Sequence, residues 1–186
     1  KGKSKEEILI STYICHPSMA NDNLSGIILT SFLTKELLKK KLNWTYRIIF
    51  IPETIGSIAY LKKNEKKFNN ISCGFVISCV GGQGKMYLKE SWDDKHFINQ
   101  LAHSCLKKFN KKYVSNKFDI NGSDERQFSS IGIRLNTITI SKDQYYNYKE
   151  YHSSGDNLNF VKSKNIYKTF KVYQELINKI EKKKIY

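Results

Sequence analysis

The chain has 186 residues, of which 40% are apolar and 13% aromatic, and it carries a formal net charge of +15 at pH 7. That length and apolar content suit one domain with a single core and exclude a disordered chain, and no apolar run approaches the ~18 residues that a membrane span needs. The basicity comes from 29 Lys against three Arg (Arg47, Arg126 and Arg134), and a surplus almost without guanidinium groups argues against a nucleic-acid face.

Residues 8–15 (ILISTYIC) are β-branched and aromatic, too short for a core helix, and bounded by polar residues, so they read as a buried strand. Residues 24–41 follow, with Leu24, Ile27, Ile28, Phe32, Leu33, Leu37 and Leu38 at steps of three and four, and with Asn21 or Asp22 available as a cap. That spacing predicts an amphipathic helix. Residues 46–51 (YRIIFI) read as a second strand, stopped by Pro52. Residues 55–67 read as a second helix with Ile58, Ala59 and Leu61 inward, and residues 74–80 as a third strand. Gly81-Gly82-Gln83-Gly84 is a turn into a short strand at residues 85–88, expected to pair at a sheet edge. Residues 94–112 form a further helix, 135–140 a further strand, and 162–183 a long basic terminal helix. Strands alternating with helices imply right-handed crossovers and a mainly parallel sheet covered on both faces, a three-layer α/β fold. Residues 1–186 are read as one such domain. The chain opens on Lys1 rather than Met, as expected of a piece of a longer or processed protein, and Lys1-Gly2-Lys3-Ser4 is followed by no signal-peptide core.

Cys15, Cys73, Cys79 and Cys105 form no CxxC pair and no disulfide-framework spacing. Buried free thiols are expected, which fits a reducing, cytoplasmic compartment and a protein that engages no membrane.

In an open parallel sheet the ligand site lies beyond the carboxyl ends of the strands. Cys15-His16-Pro17 with Asn21-Asp22 follows the first strand, Pro52-Glu53-Thr54 the second, Cys79 ends the third, and Tyr151-His152 follows the fourth. Two imidazoles and two carboxylates thus converge on one rim. That donor set suits zinc, whose catalytic sites use about three protein ligands and leave a position for water. Zinc lowers the pKa of bound water to ~7 and polarises a carbonyl, while a neighbouring carboxylate moves the proton to the leaving amine. Amide hydrolysis is the chemistry such a set performs.

These residues carry a resemblance. His16, the run Asn21-Asp22-Asn23-Leu24-Ser25-Gly26, Glu53 in Pro-Glu-Thr-Ile-Gly-Ser, Ser123-Asp124 before Phe128, Ile131-Gly132-Ile133, and Tyr151-His152-Ser153-Ser154 with Asp156-Asn157 follow the motif order of the zinc exopeptidase superfamily of bacterial leucyl aminopeptidases and glutaminyl cyclases. The stretches around His16, Glu53 and His152 look most like uncharacterised bacterial aminopeptidase-like proteins, some found beside surface-polysaccharide genes. The resemblance covers roughly residues 8 to 160. It implies one or two zinc ions, with His16 and His152 as ligands and Asp22 holding one ion or bridging two. It further implies Glu53 as catalytic base or ligand, Tyr151 as hydrogen-bond donor to the oxyanion, and Asp124 as a catalytic acid supporting the site from behind. The implied substrate is a peptide or small amide.

Two positions depart from the family. The family commonly has two adjacent Glu, base then ligand, whereas Glu53 is followed by Thr54. One register makes Glu53 the base and leaves a ligand unfilled; the other makes it the ligand and puts Pro52 where the base belongs. At the end of the third strand, where the family often has a metal-binding Asp, Cys79 is either a thiolate ligand or an inert buried thiol. These departures leave a second expectation open, a catalytically altered or inactive binding module in a surface-polysaccharide pathway. His96 and His103, seven residues apart on one helix, read as surface or packing residues. Glu125 and Arg126 read as a local ion pair, with Arg126 otherwise free to meet a substrate carboxylate. Tyr145, Tyr146 and Tyr148 read as a pocket lining or as loop anchors.

Overall fold

The computed structural model describes residues 1–109 and 111–183. Six strands form one sheet: β1 (Glu7–Tyr13), β2 (Thr45–Ile51), β3 (Ile71–Val76), β4 (Met86–Lys89), β5 (Val114–Asn116) and β6 (Thr137–Lys142), in the order β2-β1-β3-β6-β4-β5. All neighbouring pairs are parallel except β4 with β6. The helices are α1 (Gly26–Leu38), α2 (Ile55–Asn64), α3 (Phe97–Phe109), α4 (Glu125–Phe128) and α5 (Ser163–Glu181).

Alternation along β1 builds two cores, because successive side chains point to opposite faces. Ile8 and Ile10 pack with Leu29, Leu33 and Leu37 of α1, with α3, and with Val172, Leu176 and Ile180 of α5. Leu9 faces the other way, onto Leu61, Phe68 and Phe128 beside α2 and α4. The expected three-layer α/β fold, with a mainly parallel sheet between helices, is therefore the fold of this chain. No helix among the described residues is long and apolar enough to cross a membrane.

Several boundaries differ from expectation for local reasons. The first helix is preceded by a kinked turn, Ala20–Ser25, whose backbone is non-helical at Asp22 and Asn23, so α1 starts at Gly26, and its buried stripe is Leu29, Leu33 and Leu37 while Phe32 and Leu38 are exposed. In α2, Ile58 and Ala59 face solvent, and Ser57 and Leu61 face inward. Ser57 hydroxyl donates to Asp124 Oδ1 at 2.8 Å, a polar anchor that turns this side of the helix toward the protein. A 3-10 turn, Glu65–Asn70, then replaces the end of the expected helix. The strand ends at Val76, earlier than expected: Ile77 still donates its N–H to the Ser11 carbonyl of β1 at 2.8 Å, but beyond it side chains of the 21–25 turn take the N–H groups, Cys79 donating to Asn23 Oδ1 (3.3 Å) and Val80 to Ser25 Oγ (3.0 Å). The strand expected at an edge is β4, which lies between β6 and the unforeseen edge strand β5. The expected helix 94–112 is α3; its position 110 lies outside the described residues.

Tyr173, fully buried on α5, ties that helix to the sheet: its hydroxyl accepts the Ile140 N–H and donates to the Ile140 carbonyl, both at 2.9 Å. Tyr173→Phe leaves the ring and strands those two backbone groups, so a loss of about 1–3 kcal/mol is expected, read as a lower urea midpoint.

Candidate metal centre

The rim at the carboxyl ends of β1, β2 and β3 gathers the polar residues, because the chain leaves β1 toward β2 over one face and returns from β2 to β3 over the other. That reversal opens a crevice at the end of β1.

His16 stands three residues past β1 and Asp22 at the kink of the turn that follows. Asp22 is 1% exposed, and each oxygen of its carboxylate has a partner. Tyr13 hydroxyl donates to Oδ1, and His152 Nε2 lies 3.0 Å from Oδ2. Behind it, the Asp156 carboxylate accepts the N–H groups of Asn21 (2.5 Å) and Asp22 (3.0 Å), fixing the backbone that presents the side chain. The Asp22–Asn23 peptide is cis. The rings of His16 and His152 sit with centroids 5.1 Å apart. One ligand atom each from His16, Asp22 and His152 lies within 4.8 Å of the others.

Glu53 follows β2, with Oε2 3.7 Å from His16 Nε2. It joins His16 and Cys15 in a separate cluster of the same tightness and does not enter the first. Burial pushes its carboxyl above the usual range. Asp124, with no exposed surface, belongs to neither cluster: its Oδ1 accepts the Thr54 N–H (2.7 Å) and the Ser57 hydroxyl. Burial pushes its carboxyl up to about 6. Asp124 thus grips the residue next to Glu53. Tyr151 stacks flat on His152, centroids 3.9 Å apart, and Tyr146 and Tyr148 meet Tyr151 edge-on.

Four of the non-glycine residues with positive φ stand at this rim: His16 (67°), Thr54 (58°), Cys79 (51°) and His152 (50°). For L residues such a backbone costs on the order of 1–3 kcal/mol apiece, and the cost concentrates where side chains must be aimed.

The departures from the family acquire a physical form. Cys79 is fully buried, its sulfur 3.6 Å from Tyr148 hydroxyl and 3.9 Å from Tyr13 hydroxyl, and burial holds its thiol well above its ordinary value. It enters no ligand cluster among the described residues. The expected Glu125–Arg126 pair is not formed. Glu125, also fully buried, takes Lys89 instead, at 3.2 Å, because Lys89 lies 2% exposed on β4 and needs a counter-charge there. His103 packs as expected, between Tyr113 hydroxyl (2.7 Å) and Glu90 (3.0 Å), and His96 stacks on Phe97. Sequence reasoning assigned no role to Tyr13 or Asp156, which hold Asp22. An aromatic residue inside a strand reads as core, and Asp156 stands 134 positions from the amide of Asp22 that it accepts.

The donor set fits a zinc ion: two imidazoles and one carboxylate within bonding reach of one point, with the His152 side chain 48% exposed and so open to a water or substrate.

A Clostridium acetobutylicum protein described provisionally as a polysaccharide biosynthesis protein with an aminopeptidase-like domain is 42% identical over 187 residues, covering 100% of this chain and 43% of that protein. A crystal structure of a protein from the same organism, provisionally described as a peptidase, superimposes with a TM-score of 0.94 at 42% identity over 97% of this chain and 43% of that one. A zinc aminopeptidase from Bacillus subtilis superimposes with a TM-score of 0.81 at 16% identity, over 99% of this chain and 48% of that one, a likeness of fold. The chain spans less than half the length of these relatives. The family model described as domain of unknown function DUF4910 matches residues 1–183, and the chain, with the fold of the zinc aminopeptidases, belongs to that family.

Proposed function

We propose that this chain is the aminopeptidase-like catalytic domain, residues 1–186, of a longer zinc-dependent hydrolase that removes an N-terminal residue or opens a similar small amide. The observation that carries the reading is the meeting of His16, Asp22 and His152 within 4.8 Å, with Glu53 Oε2 3.7 Å from the His16 imidazole.

His16, Asp22 and His152 hold the ion. A zinc ion bound there supplies a Lewis acid and a water acidified to a pKa of ~7. Glu53 serves as the base rather than as a ligand, a role supported by its place outside that cluster. It accepts a proton from the water and returns it to the leaving amine. Its raised carboxyl pKa moves it toward the pH at which such shuttling works best. Asp124 keeps Glu53 on station by holding the next residue's N–H, and Tyr151, anchored against His152, donates a hydrogen bond to the oxygen on which charge develops. Tyr13 and Asp156 hold Asp22 in place. The four free thiols suit a reducing, cytoplasmic setting.

A second reading, a binding module without turnover, is favoured by Thr54 and Cys79, which stand where the resemblance leads one to expect acidic ligands. The polysaccharide description of the Clostridium relative makes a glycan pathway its natural setting. The metal half of the first reading is tested by zinc content. His152→Ala removes one of three ligands and is expected to weaken zinc binding at least tenfold, measured by metal analysis after dialysis against a competing chelator. Equal zinc in variant and wild type, each carrying Cys15→Ser so that no thiolate competes for the ion, sinks the assignment.

A further inference from the structure

We propose that Cys15, His16 and Glu53 form a second cation position, one that carries a thiolate and is distinct from the position His16 shares with Asp22 and His152. Cys15 Sγ lies 3.1 Å from His16 Nδ1, and His16 Nε2 lies 3.7 Å from Glu53 Oε2. One ligand atom from each of the three lies within 4.8 Å of the others. An ion takes only one of the two His16 nitrogens, and from that 4.8 Å grouping the donors close in by about an ångström to reach a zinc-sized ion bound at about 2.0–2.3 Å. The backbone reinforces the grouping. Glu53 donates its N–H to Cys15 Sγ at 3.2 Å, and Ile14 donates its N–H to the Ile51 carbonyl at 3.0 Å, so the ends of β1 and β2 are laced together where the three side chains meet.

Cys15 differs from the other thiols. Cys73, Cys79 and Cys105 are fully buried, whereas Cys15 is partly exposed and borders a cavity of about 330 Å³ also lined by Ile14, Ser18, Met19, Leu24 and Leu158. An ion reaches it from that side.

Sulfur selects soft ions, zinc and cadmium, over magnesium or calcium. Binding is a ligand exchange without redox change: the sulfur–hydrogen bond breaks, the sulfur electron pair goes to the ion, and the proton leaves to solvent. A neutral imidazole offers one lone pair, so His16 serves one position at a time. The consequence for catalysis, though not the site, rests on the hydrolase reading: an ion here engages the Glu53 carboxylate and removes it as a base.

The test titrates the folded chain with cadmium and records the sulfur-to-cadmium charge-transfer absorption in the ultraviolet. The band is expected in the wild type, is kept by Asp22→Asn and His152→Ala, and is lost in Cys15→Ser. Three results overturn the proposal: no band in the wild type, a band that survives Cys15→Ser, or its loss in either Asp22→Asn or His152→Ala with a native circular dichroism spectrum. The last makes Cys15 merely an added ligand of the Asp22 position. The readout does not depend on turnover: a chain that shows the band but whose Cys15→Ser variant, which cannot fill this position, hydrolyses no anilide with zinc rejects the hydrolase reading alone, and an active chain without the band rejects this proposal alone.

Discussion

Glu53→Gln lowers hydrolysis of an aminoacyl anilide by about 10²–10⁴-fold, the range over which general-base catalysis by a positioned side chain is felt. The substitution keeps shape and removes only the ability to take a proton. Glu53 stands outside the cluster of His16, Asp22 and His152, so the variant is expected to retain its zinc. Loss of turnover without loss of metal separates base from ligand, the two roles between which the missing second Glu left the sequence undecided. If, in a Cys15→Ser background, zinc falls in step with activity, Glu53 is a ligand of the ion that His16, Asp22 and His152 hold. If the wild type itself hydrolyses no member of an anilide series, the binding-module reading prevails.

Lys89→Met costs about 3–5 kcal/mol of stability, the usual consequence of leaving a buried charge without its partner. Lys89 is 2% exposed and Glu125 has no exposed surface; they stand 3.2 Å apart. The ammonium also meets Asp119 at 2.9 Å and the Asn121 carbonyl, so one side chain gathers the loop ahead of α4. Glu125 in turn accepts the Ser123 N–H at 3.1 Å. Methionine fills the stem volume but leaves the buried carboxylate without its counter-charge. In urea denaturation the midpoint falls with the slope unchanged. Lys89→Met combined with Glu125→Gln is expected to recover most of the loss, since neither charge then remains. If the double variant is no more stable than the single one, the pair is not what holds this loop. The loop carries Asp124, so zinc binding and turnover are expected to weaken with it.

The layers of the fold were legible because β1, β2 and α5 obey simple periodicities. The run at residues 8–15 is β-branched at every second position, and α5 carries a recurring apolar face. β5 was not legible: Val-Ser-Asn over three residues has no pattern, and it becomes a strand only because β4 offers an edge. The inward face of α2 was misread because hydrophobicity favoured Ile58 and Ala59, while a hydrogen bond from Ser57 to Asp124, 67 positions away, decided the orientation. The residues on the rim could be picked out because a polar side chain just past an apolar strand has few structural reasons to be there. Their supports could not. Tyr13 is indistinguishable from any core aromatic, and the partner of Glu125 was sought at the next residue rather than across the sheet on Lys89.

The left-handed backbone at His16, Thr54, Cys79 and His152 sets durability against chemistry at single positions. Glycine would relax each of them, and at His16 and His152 it would do so by deleting an imidazole of the rim. Heat resistance gained at these two positions is therefore gained at the expense of the donor set, and a stabilised variant of this chain has to take its substitutions elsewhere.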